Sequence, residues 1–383
     1  MPLQELFALL TEGIHFFTWA NLAMIAAGAL LIYLAVERGY EPLLLLPIGA
    51  GCIFANLGMS AYTPGSWLET LYRLGIETEL FPLLIFVGVG AMIDFRPLLA
   101  QPQLVLMGAA GQVGIYVTLL LAALLGFDLK EAAAIGVIGA IDGPTAIFVG
   151  TQLAPHLLGP IAVAAYSYMS LIPLLQPPLM RWLTTPAERR VRMEYAPRPV
   201  ARAAVLIFPV AATIFVSLIA PAAAPLIASL MLGNLLREAL VVERLSLAAQ
   251  HEIANISTLF LGLAIGATMT AERFLYSPAT GFQWQTLLVL ALGLFAFVMD
   301  TVAGLLFGKF MYVLSGRKIN PLVGACGISA FPMAGRLAAQ VAQAEDYNNF
   351  LLMHAMGANT AGQLGSVVAG GLLLALVTGL GFA

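Results

Sequence analysis

The sequence predicts an all-α, polytopic helical membrane protein of about 10–12 helices. Of its 383 residues, 61% are hydrophobic and only 10% are charged, whereas soluble domains carry about 25% charged residues. Apolar stretches of about 20 residues recur, each long enough to cross a hydrocarbon core of about 30 Å. They include residues 20–36, 105–125, 160–183, 203–219 and 287–311. Gly and Pro interrupt two further apolar segments, which predicts broken or re-entrant helices.

The first stretch, residues 1–19, has neither a basic region nor a small-residue cleavage site. We therefore interpret it as an amphipathic interfacial segment that leads into the first span, and not as a signal peptide.

A weak internal repeat divides the chain into two structurally similar halves. FVGVGAMIDFRPLL, which begins at Phe86, resembles FLGLAIGATMTAERFL, which begins at Phe260. A long apolar span follows each copy, and then a Gly-rich, Pro-interrupted segment, residues 132–150 and 320–338. We predict an N-terminal half of residues 1–185, a basic loop of residues 186–202 and a C-terminal half of residues 203–383. The two broken segments should meet at the membrane midplane, where such transporters hold their ions.

Two topologies are compatible with this repeat. Basic residues cluster at the central loop, which the positive-inside rule places in the cytoplasm; they are Arg181, Arg189, Arg190, Arg192, Arg198 and Arg202. If the broken segments re-enter, each half crosses five times and the halves are inverted; if they cross, each half crosses six times and the halves are parallel. The distribution of Lys and Arg is the same for both, and we expect the inverted arrangement.

Asp142 is the most informative polar residue of the first broken segment. It stands in I-D-G-P-T, where Gly143 and Pro144 should open the helix. A charge at the bilayer centre costs at least about 2.5–3.5 kcal/mol, so it needs a reason to be there. The Asp142 carboxylate, the Thr145 hydroxyl and freed carbonyls are hard oxygen donors that suit Na⁺ or H⁺. The alternative is an Asp that only caps the following half-helix.

The second broken segment contains Asn320, Ser329, Pro332 and Arg336. Ser329 precedes Pro332 by three residues, where a broken helix exposes carbonyls. Arg336 is expected to be buried, either to bind a carboxylate ligand or to pair with Asp142 or Asp300.

Further polar residues lie in the apolar spans that follow. Tyr166 and Tyr168 stand in Y-S-Y-M, and Asn359 and Thr360 stand at the equivalent place in the other half. Each phenol either faces an ion site or satisfies a carbonyl. Asp94 and Arg96 are expected to be interfacial, and His156 and His354 to be packing residues. The sequence contains no P-loop, HExxH or CxxC motif, and none of its three lysines has the methionine neighbours of a biotin-carrier site.

Three segments together resemble a known family: GAIDGPTAIF, LAPHLLGPIAVAAYSYMSLIPLLQPP and NPLVGACGISAFPMAGR. They are similar to the β subunits of oxaloacetate, methylmalonyl-CoA and glutaconyl-CoA decarboxylases, from about Leu80 to the C-terminus. The resemblance implies an enzyme subunit of the bacterial or archaeal cytoplasmic membrane that removes CO₂ from carboxybiotin and couples this step to Na⁺ export and proton uptake. The cofactors that it implies are Na⁺ and a carboxybiotin that is carried on a partner subunit.

The implied partners are a soluble carboxyltransferase and biotin-carrier subunit, a small single-span subunit and the surrounding lipid. An apolar face on residues 20–59 or 203–240 would support a homo-oligomer, and no nucleic acid is expected. From physics alone, a plain secondary transporter, such as a Na⁺/H⁺ antiporter or a Na⁺-coupled carboxylate symporter, is the alternative.

The resemblance also implies roles for the residues that match its motifs. Those implied to act in decarboxylation are Asp142, Tyr168, Ser329 and Arg336, and those implied to bind carboxybiotin are Arg336 and Asn320. Together with Thr145, the implied ion ligands are Asp142, Tyr166, Tyr168, Asn320, Gly324, Ser329 and Asn359. In this scheme Asp142, Tyr168 and Asn359 form one Na⁺ site, Asn320 and Ser329 line a second ion or proton site, and Tyr168 or Ser329 relays the proton. Cys326 departs from the pattern.

Overall fold

The computed structural model describes residues 17–193, 199–277 and 281–379. Most of the interfacial segment predicted at the N-terminus lies outside these residues, and so does Arg198. The described residues are predominantly helical, and a two-residue antiparallel ladder pairs β1 (Tyr276–Ser277) with β2 (Gly281–Phe282). The predicted polytopic helical membrane fold is confirmed.

The described part of the first half contains ten α-helices before the basic loop. They are α1 (Trp19–Glu37), α2 (Pro42–Ala55), α3 (Trp67–Tyr72), α4 (Leu80–Met92), α5 (Arg96–Ala100), α6 (Leu104–Ala110), α7 (Val113–Leu124), α8 (Leu129–Gly136), α9 (Gly143–Leu153) and α10 (Leu158–Leu183).

The described remainder begins with α11 (Pro186–Arg189) in the basic loop. It continues with α12 (Arg202–Ile219), α13 (Ala224–Ala239), α14 (Glu243–Ala248), α15 (Ala254–Thr268), α16 (Ala271–Phe274), α17 (Trp284–Leu314), α18 (Met333–Glu345) and α19 (Leu352–Gly379).

Five helical segments in the described ranges are long and apolar enough to span a membrane: α1, α6 with α7, α12, α17 and α19. Two bent pairs raise this number to seven: residues 67–92, bent by 59°, and residues 155–183, bent by 61°. The shorter helices α2, α13 and α15 pack among these segments.

Residues 129–153 form a hairpin, here called hairpin 1, whose two ends lie on the same side of the protein. α8 and a 3-10 turn (Val137–Ala140) lead inward, the chain breaks at residues 141–142, and α9 leads back. Glu131 at the start of α8 and His156 just after α9 are joined at 2.8 Å, from Oε1 to Nε2. The 11 residues of α9 extend about 17 Å, roughly half of a bilayer core. Hairpin 1 therefore re-enters and does not cross.

Residues 321–345 form hairpin 2, which enters from the opposite side. Its arms are a 3-10 helix (Pro321–Gly327) and α18. Arg189 of the basic loop holds both ends of this hairpin. The Arg189 carbonyl accepts a hydrogen bond from Nδ2 of Asn320 at 2.9 Å, and the Arg189 guanidinium donates to Glu345 at 2.5 Å. Residues 155–183 connect hairpin 1 to this loop and, although bent by 61°, are long and apolar enough to form one span. We therefore infer that hairpin 2 re-enters from the side of the basic loop.

The same order of elements recurs in the two halves. α1, α2, α4, α6 with α7, hairpin 1 and α10 correspond in order to α12, α13, α15, α17, hairpin 2 and α19. Gly136 and Gly324, Gly139 and Gly327, and Pro144 and Pro332 are each 188 residues apart. Because the hairpins enter from opposite sides, we infer inverted repeats with five crossings each. The domain boundaries at residues 185 and 202 stay a prediction.

Small residues let the helices around the hairpins approach closely. A Cβ on Gly233 of α13 or on Gly90 of α4 would overlap the backbone of the other helix, and Gly51 of α2 and Gly266 of α15 form a similar pair. At the C-terminal ends of α4 and α13, Arg96 bonds with both Asp94 and Glu238. Asp94 and Arg96 are partly exposed at the end of a span, which agrees with the predicted interfacial position.

Arg189 should be a main determinant of stability at the basic loop. The side chains of Arg189 and Glu345 are 8% and 23% exposed, so Arg189→Ala leaves a mostly buried carboxylate unpaired. We expect the free energy of unfolding to fall by about 2–4 kcal/mol. Unfolding in mixed micelles, followed by circular dichroism, measures this change. Arg192→Ala is the matched control: it removes the adjacent pair with Asp346, but Arg192 is 59% exposed and little should change. Equal losses in the two variants would contradict this assignment.

Candidate functional site

The tips of the two hairpins meet inside the protein. The hydroxyl and the amide of Ser329 in hairpin 2 both donate to the carbonyl of Ala140 in hairpin 1, at 2.6 and 3.3 Å. Gly143 and Pro144 begin α9, where the missing N–H of Pro144 costs no hydrogen bond. Ile141 adopts φ +51°, a conformation that is rare for a β-branched residue. Strained backbone of this kind is typical of functional sites.

Asp142 is buried, 6% exposed, at the N-cap position of α9. No side-chain cap hydrogen bond forms there. Instead its Oδ2 accepts from the Thr145 hydroxyl at 2.6 Å and, from α19, from Nε2 of Gln363 and Oγ of Ser366 at 3.0 Å each. These three bonds fix the carboxylate in one orientation. The carboxylate is thus held by side chains of α9 and α19, which a residue that only caps α9 does not need.

A cavity of about 120 Å³ lies beside this carboxylate. Five side chains with oxygen atoms line it: Asp142, Ser329, Gln363, Tyr166 of α10 and Thr258 of α15. The remaining lining is mainly apolar and includes Leu44, Ile85, Val89, Met169 and Phe331. At about 30 Å³ per molecule, the volume suits a cation with a few waters.

The Tyr166 hydroxyl is buried and has no hydrogen-bond partner in the described part of the protein. Its ring packs directly on Gly143, where a Cβ would overlap it. An unpaired phenol at the edge of a cavity is available to a ligand, because leaving it unsatisfied costs about 1–3 kcal/mol. The structure thus brings together four of the predicted ion ligands: Asp142, Thr145, Tyr166 and Ser329.

Tyr168 and Asn359 lie near the site but do not line the cavity. The Tyr168 hydroxyl donates to the carbonyl of Leu290 in α17, so it satisfies a carbonyl. Nδ2 of Asn359 donates to the carbonyl of Ile328 at 2.7 Å, just before the tip of hairpin 2. Its Oδ1 and the Thr360 hydroxyl are buried, and neither has a hydrogen-bond partner among residues 17–193, 199–277 and 281–379. Asn359 thus supports hairpin 2 and retains one free acceptor.

Asn320 and Gly324 lie away from the tips. Asn320 donates to the carbonyls of Arg189 and Val191, and its Oδ1 accepts from the amide of Leu322 at 3.0 Å. The 3-10 helix that separates it from Ser329 has 7 residues, or about 14 Å. The prediction that Asn320 and Ser329 line one site is therefore wrong, because the two side chains lie at opposite ends of this helix. Gly324 packs on the backbone of Gly304 in α17.

Arg336 is exposed, contrary to the prediction that it is buried. It stands in the first turn of α18, and none of the ion pairs among the described residues includes it. Asp142 is held by α19, and Asp300 accepts from the backbone of Gly114, so neither carboxylate pairs with Arg336. Both internal partners proposed for it are thus excluded.

Gln363 and Ser366 are not among the site residues that the sequence predicts. Both belong to the helical face that begins at Asn359, at spacings of four and seven residues. Once Asn359 is taken as a site residue, this helical spacing indicates that Gln363 and Ser366 face the same site.

Comparison with known proteins gives a consistent result. Residues 20–377 match the family model described as Na⁺-transporting oxaloacetate decarboxylase beta subunit. The chain is 50% identical to the glutaconyl-CoA decarboxylase subunit beta of Acidaminococcus fermentans, over 96% of each chain. It is 50% identical to the methylmalonyl-CoA decarboxylase subunit beta of Veillonella parvula, over 96% of each chain. It is 43% identical to the oxaloacetate decarboxylase beta chain of Klebsiella pneumoniae, over 92% of this chain and 94% of the relative.

A substitution at Gly143 tests the packing of the Tyr166 ring against the start of α9. Gly143→Ala forces a methyl group into the ring of Tyr166, and we expect it to lower the free energy of unfolding by about 1–3 kcal/mol. Gly150→Ala is the matched control in the same helix, because its nearest neighbour would be 3.3 Å away. It should be neutral or stabilise by up to about 1 kcal/mol. Unfolding in mixed micelles distinguishes them, and a stable Gly143→Ala variant would contradict the described contact.

Proposed function

The chain belongs to the family of Na⁺-transporting oxaloacetate decarboxylase β subunits, and from this premise we propose that it removes CO₂ from carboxybiotin and couples this step to Na⁺ export and proton uptake. The observation that carries the proposal is the Asp142 carboxylate, held by three hydrogen bonds beside a cavity where two opposed hairpins meet. This arrangement suits an ion that is bound from one side and released to the other.

Na⁺ is proposed to bind in this cavity, between Asp142 and the hydroxyls of Ser329 and Tyr166. The ion compensates the carboxylate charge, which is expensive to bury alone. Thr145, Gln363 and Ser366 act indirectly: their bonds to Oδ2 orient the carboxylate. Their role resembles that of the residues that orient a metal ligand from behind.

Arg336 is proposed to hold the carboxylate of carboxybiotin. Its exposure on the cytoplasmic hairpin, without an ion pair among the described residues, leaves the guanidinium free for an incoming ligand. The planar guanidinium can donate two parallel hydrogen bonds to a carboxylate.

Decarboxylation of carboxybiotin consumes one proton. The bond between the biotin nitrogen and the carboxyl carbon breaks, CO₂ leaves, and the electron pair that stays on nitrogen takes up the proton. Tyr168 and Ser329 are the proposed relays, and of these two Ser329 lines the cavity. Moving one Na⁺ against 100 mV costs about 2.3 kcal/mol, which limits how many ions one decarboxylation exports.

The proposed assembly contains further subunits. The chain has three lysines, Lys130, Lys309 and Lys318, and none has the sequence context of a biotin carrier, so the biotin is proposed to arrive on a soluble carboxyltransferase and carrier subunit. A small single-span subunit, a homo-oligomeric arrangement and a bacterial or archaeal cytoplasmic membrane complete the proposal.

Reconstitution tests this function directly. The purified chain in liposomes is mixed with a carboxylated biotin-carrier domain, and CO₂ release and ²²Na⁺ movement are followed with and without Na⁺. Na⁺-dependent CO₂ release coupled to Na⁺ flux supports the decarboxylase pump. Na⁺ flux driven by a pH or solute gradient without CO₂ release would instead indicate a secondary transporter.

Asp142→Asn should abolish the Na⁺-dependent reaction while the protein stays folded. The amide has nearly the same shape but no charge, so CO₂ release at fixed Na⁺ should fall by about a hundredfold or more. Asp94→Asn is the control, because that carboxylate is 38% exposed at the end of α4. Full activity of the Asp142 variant would show that the ion binds elsewhere.

Arg336→Lys should separate carrier binding from ion binding. The ammonium keeps the charge but loses the two parallel hydrogen bonds, so KM for the carboxylated carrier domain should rise by about tenfold. The Na⁺ concentration for half-maximal rate should not change. Arg181→Lys, an exposed arginine near the end of α10, is the control. A change in Na⁺ dependence with an unaltered KM would contradict the assigned role.

A further inference from the structure

Asp300 is a second acidic residue in the membrane interior and does not belong to the Asp142 cavity. It lies in the middle of α17 and is fully buried. Its Oδ1 accepts from the backbone amide of Gly114 in α7. Its Oδ2 has no hydrogen-bond partner among the described residues. The mechanism proposed above gives it no role.

The surroundings of Asp300 fit a carboxyl group. α7 begins at Val113, so the amide of Gly114 is in the first turn and has no partner within the helix. A Cβ on Gly114 would lie 2.6 Å from Oδ1, and one on Gly139 would lie 2.7 Å from Oδ2. Two glycines on different elements therefore leave room for the two oxygens. Asp300 of α17 therefore contacts both the start of α7 and the 3-10 turn of hairpin 1.

An ionised carboxylate is unfavourable at this position. The cationic side chains on the helices packed around it are Lys130 of α8, Arg181 of α10 and Lys309 of α17 itself, and no ion pair in the described ranges joins them to Asp300. The first turn of α7 supplies only a partial positive charge. A buried carboxyl group without a cation is normally neutral.

The other half of the protein has a neutral side chain at the equivalent place. Gln112 is 188 residues before Asp300, the spacing that also relates Gly139 to Gly327. Gln112 donates to the carbonyl of Gly327 in hairpin 2 at 3.0 Å, whereas Asp300 lies against Gly139 in hairpin 1. Each hairpin is thus supported, one turn before its tip, by one polar residue from the opposite half.

We propose that Asp300 binds a proton and acts as a neutral positioning residue for hairpin 1. It holds the 3-10 turn against α7, so that the carbonyl of Ala140 meets Ser329 and Asp142 faces the cavity. This proton site is separate from the ion-binding cavity. The effect on Na⁺ rests on the proposed function, whereas the protonation state does not.

Infrared spectroscopy of the full chain tests the protonation state. Wild type should show the C=O stretching band of a protonated carboxylic acid from mildly acidic to mildly alkaline pH, and Asp300→Asn should lack this component. Asp94→Asn, which removes an exposed carboxylate, should leave the band unchanged. Identical spectra for wild type and Asp300→Asn would overturn the proposal.

Function tests the positioning role. Asp300→Asn keeps an oxygen acceptor for Gly114 and stays neutral, so its Na⁺ concentration for half-maximal decarboxylation should remain within about threefold of wild type. Asp300→Ala leaves the Gly114 amide unpaired and should raise the Na⁺ concentration for half-maximal decarboxylation by about tenfold. Loss of turnover in a folded Asp300→Asn variant would show that the group must ionise and would overturn the proposal, as would an unaltered Asp300→Ala variant. If wild type itself shows no Na⁺-dependent decarboxylation, the proposed function fails and the infrared result still decides the proton site.

Discussion

The hydrogen bonds from Ser329 to the carbonyl of Ala140 join the two hairpins inside the membrane. A hairpin that ends inside a membrane exposes backbone groups that neither water nor lipid can satisfy. Here each tip satisfies the other, because Ser329 donates both its amide and its hydroxyl to one carbonyl. The joined tips leave a small cavity with the buried carboxylate of Asp142 on its wall. Because one hairpin enters from each side, the same contact joins the two halves of the protein.

Close approach of the backbones is the second requirement, and it accounts for much of the glycine content. Gly111 of the break between α6 and α7 packs on Gly327 of hairpin 2, and Gly362 of α19 packs on the same carbonyl. Polar side chains then pair with the backbone groups that broken helices leave free. Gln112 and Gln176 donate to carbonyls of hairpin 2, at Gly327 and Ala325. These contacts hold the hairpins without placing an ionised group in lipid.

Local sequence patterns predicted the breaks and the first ligands, because Gly, Pro, Asp142 and Thr145 lie within four residues of one another. The partners on α19 could not be predicted in this way, since Gln363 is 221 residues from Asp142 and nothing in the intervening chain specifies the contact. Asn320 and Arg336 were misplaced for a related reason. Spacing along one segment does not reveal that the segment turns back. The turn places Asn320 beside the basic loop and leaves Arg336 exposed. For Asp300, the sequence left open a pair with Arg336 or a place in the lining of the cavity, whereas the structure pairs its carboxyl group with a backbone amide.

The central claim is that a Na⁺ ion binds at the joined tips, with the Asp142 carboxylate as its charged ligand. Experimental density maps of the lipid-reconstituted protein, recorded in Na⁺ and in an equal concentration of a large organic cation, test this claim most directly. We expect a density peak in Na⁺ that lies within oxygen-ligand distance of Asp142 and is absent in the organic cation. A cavity that is empty in Na⁺, or an ion peak elsewhere in the protein with none beside Asp142, would contradict it.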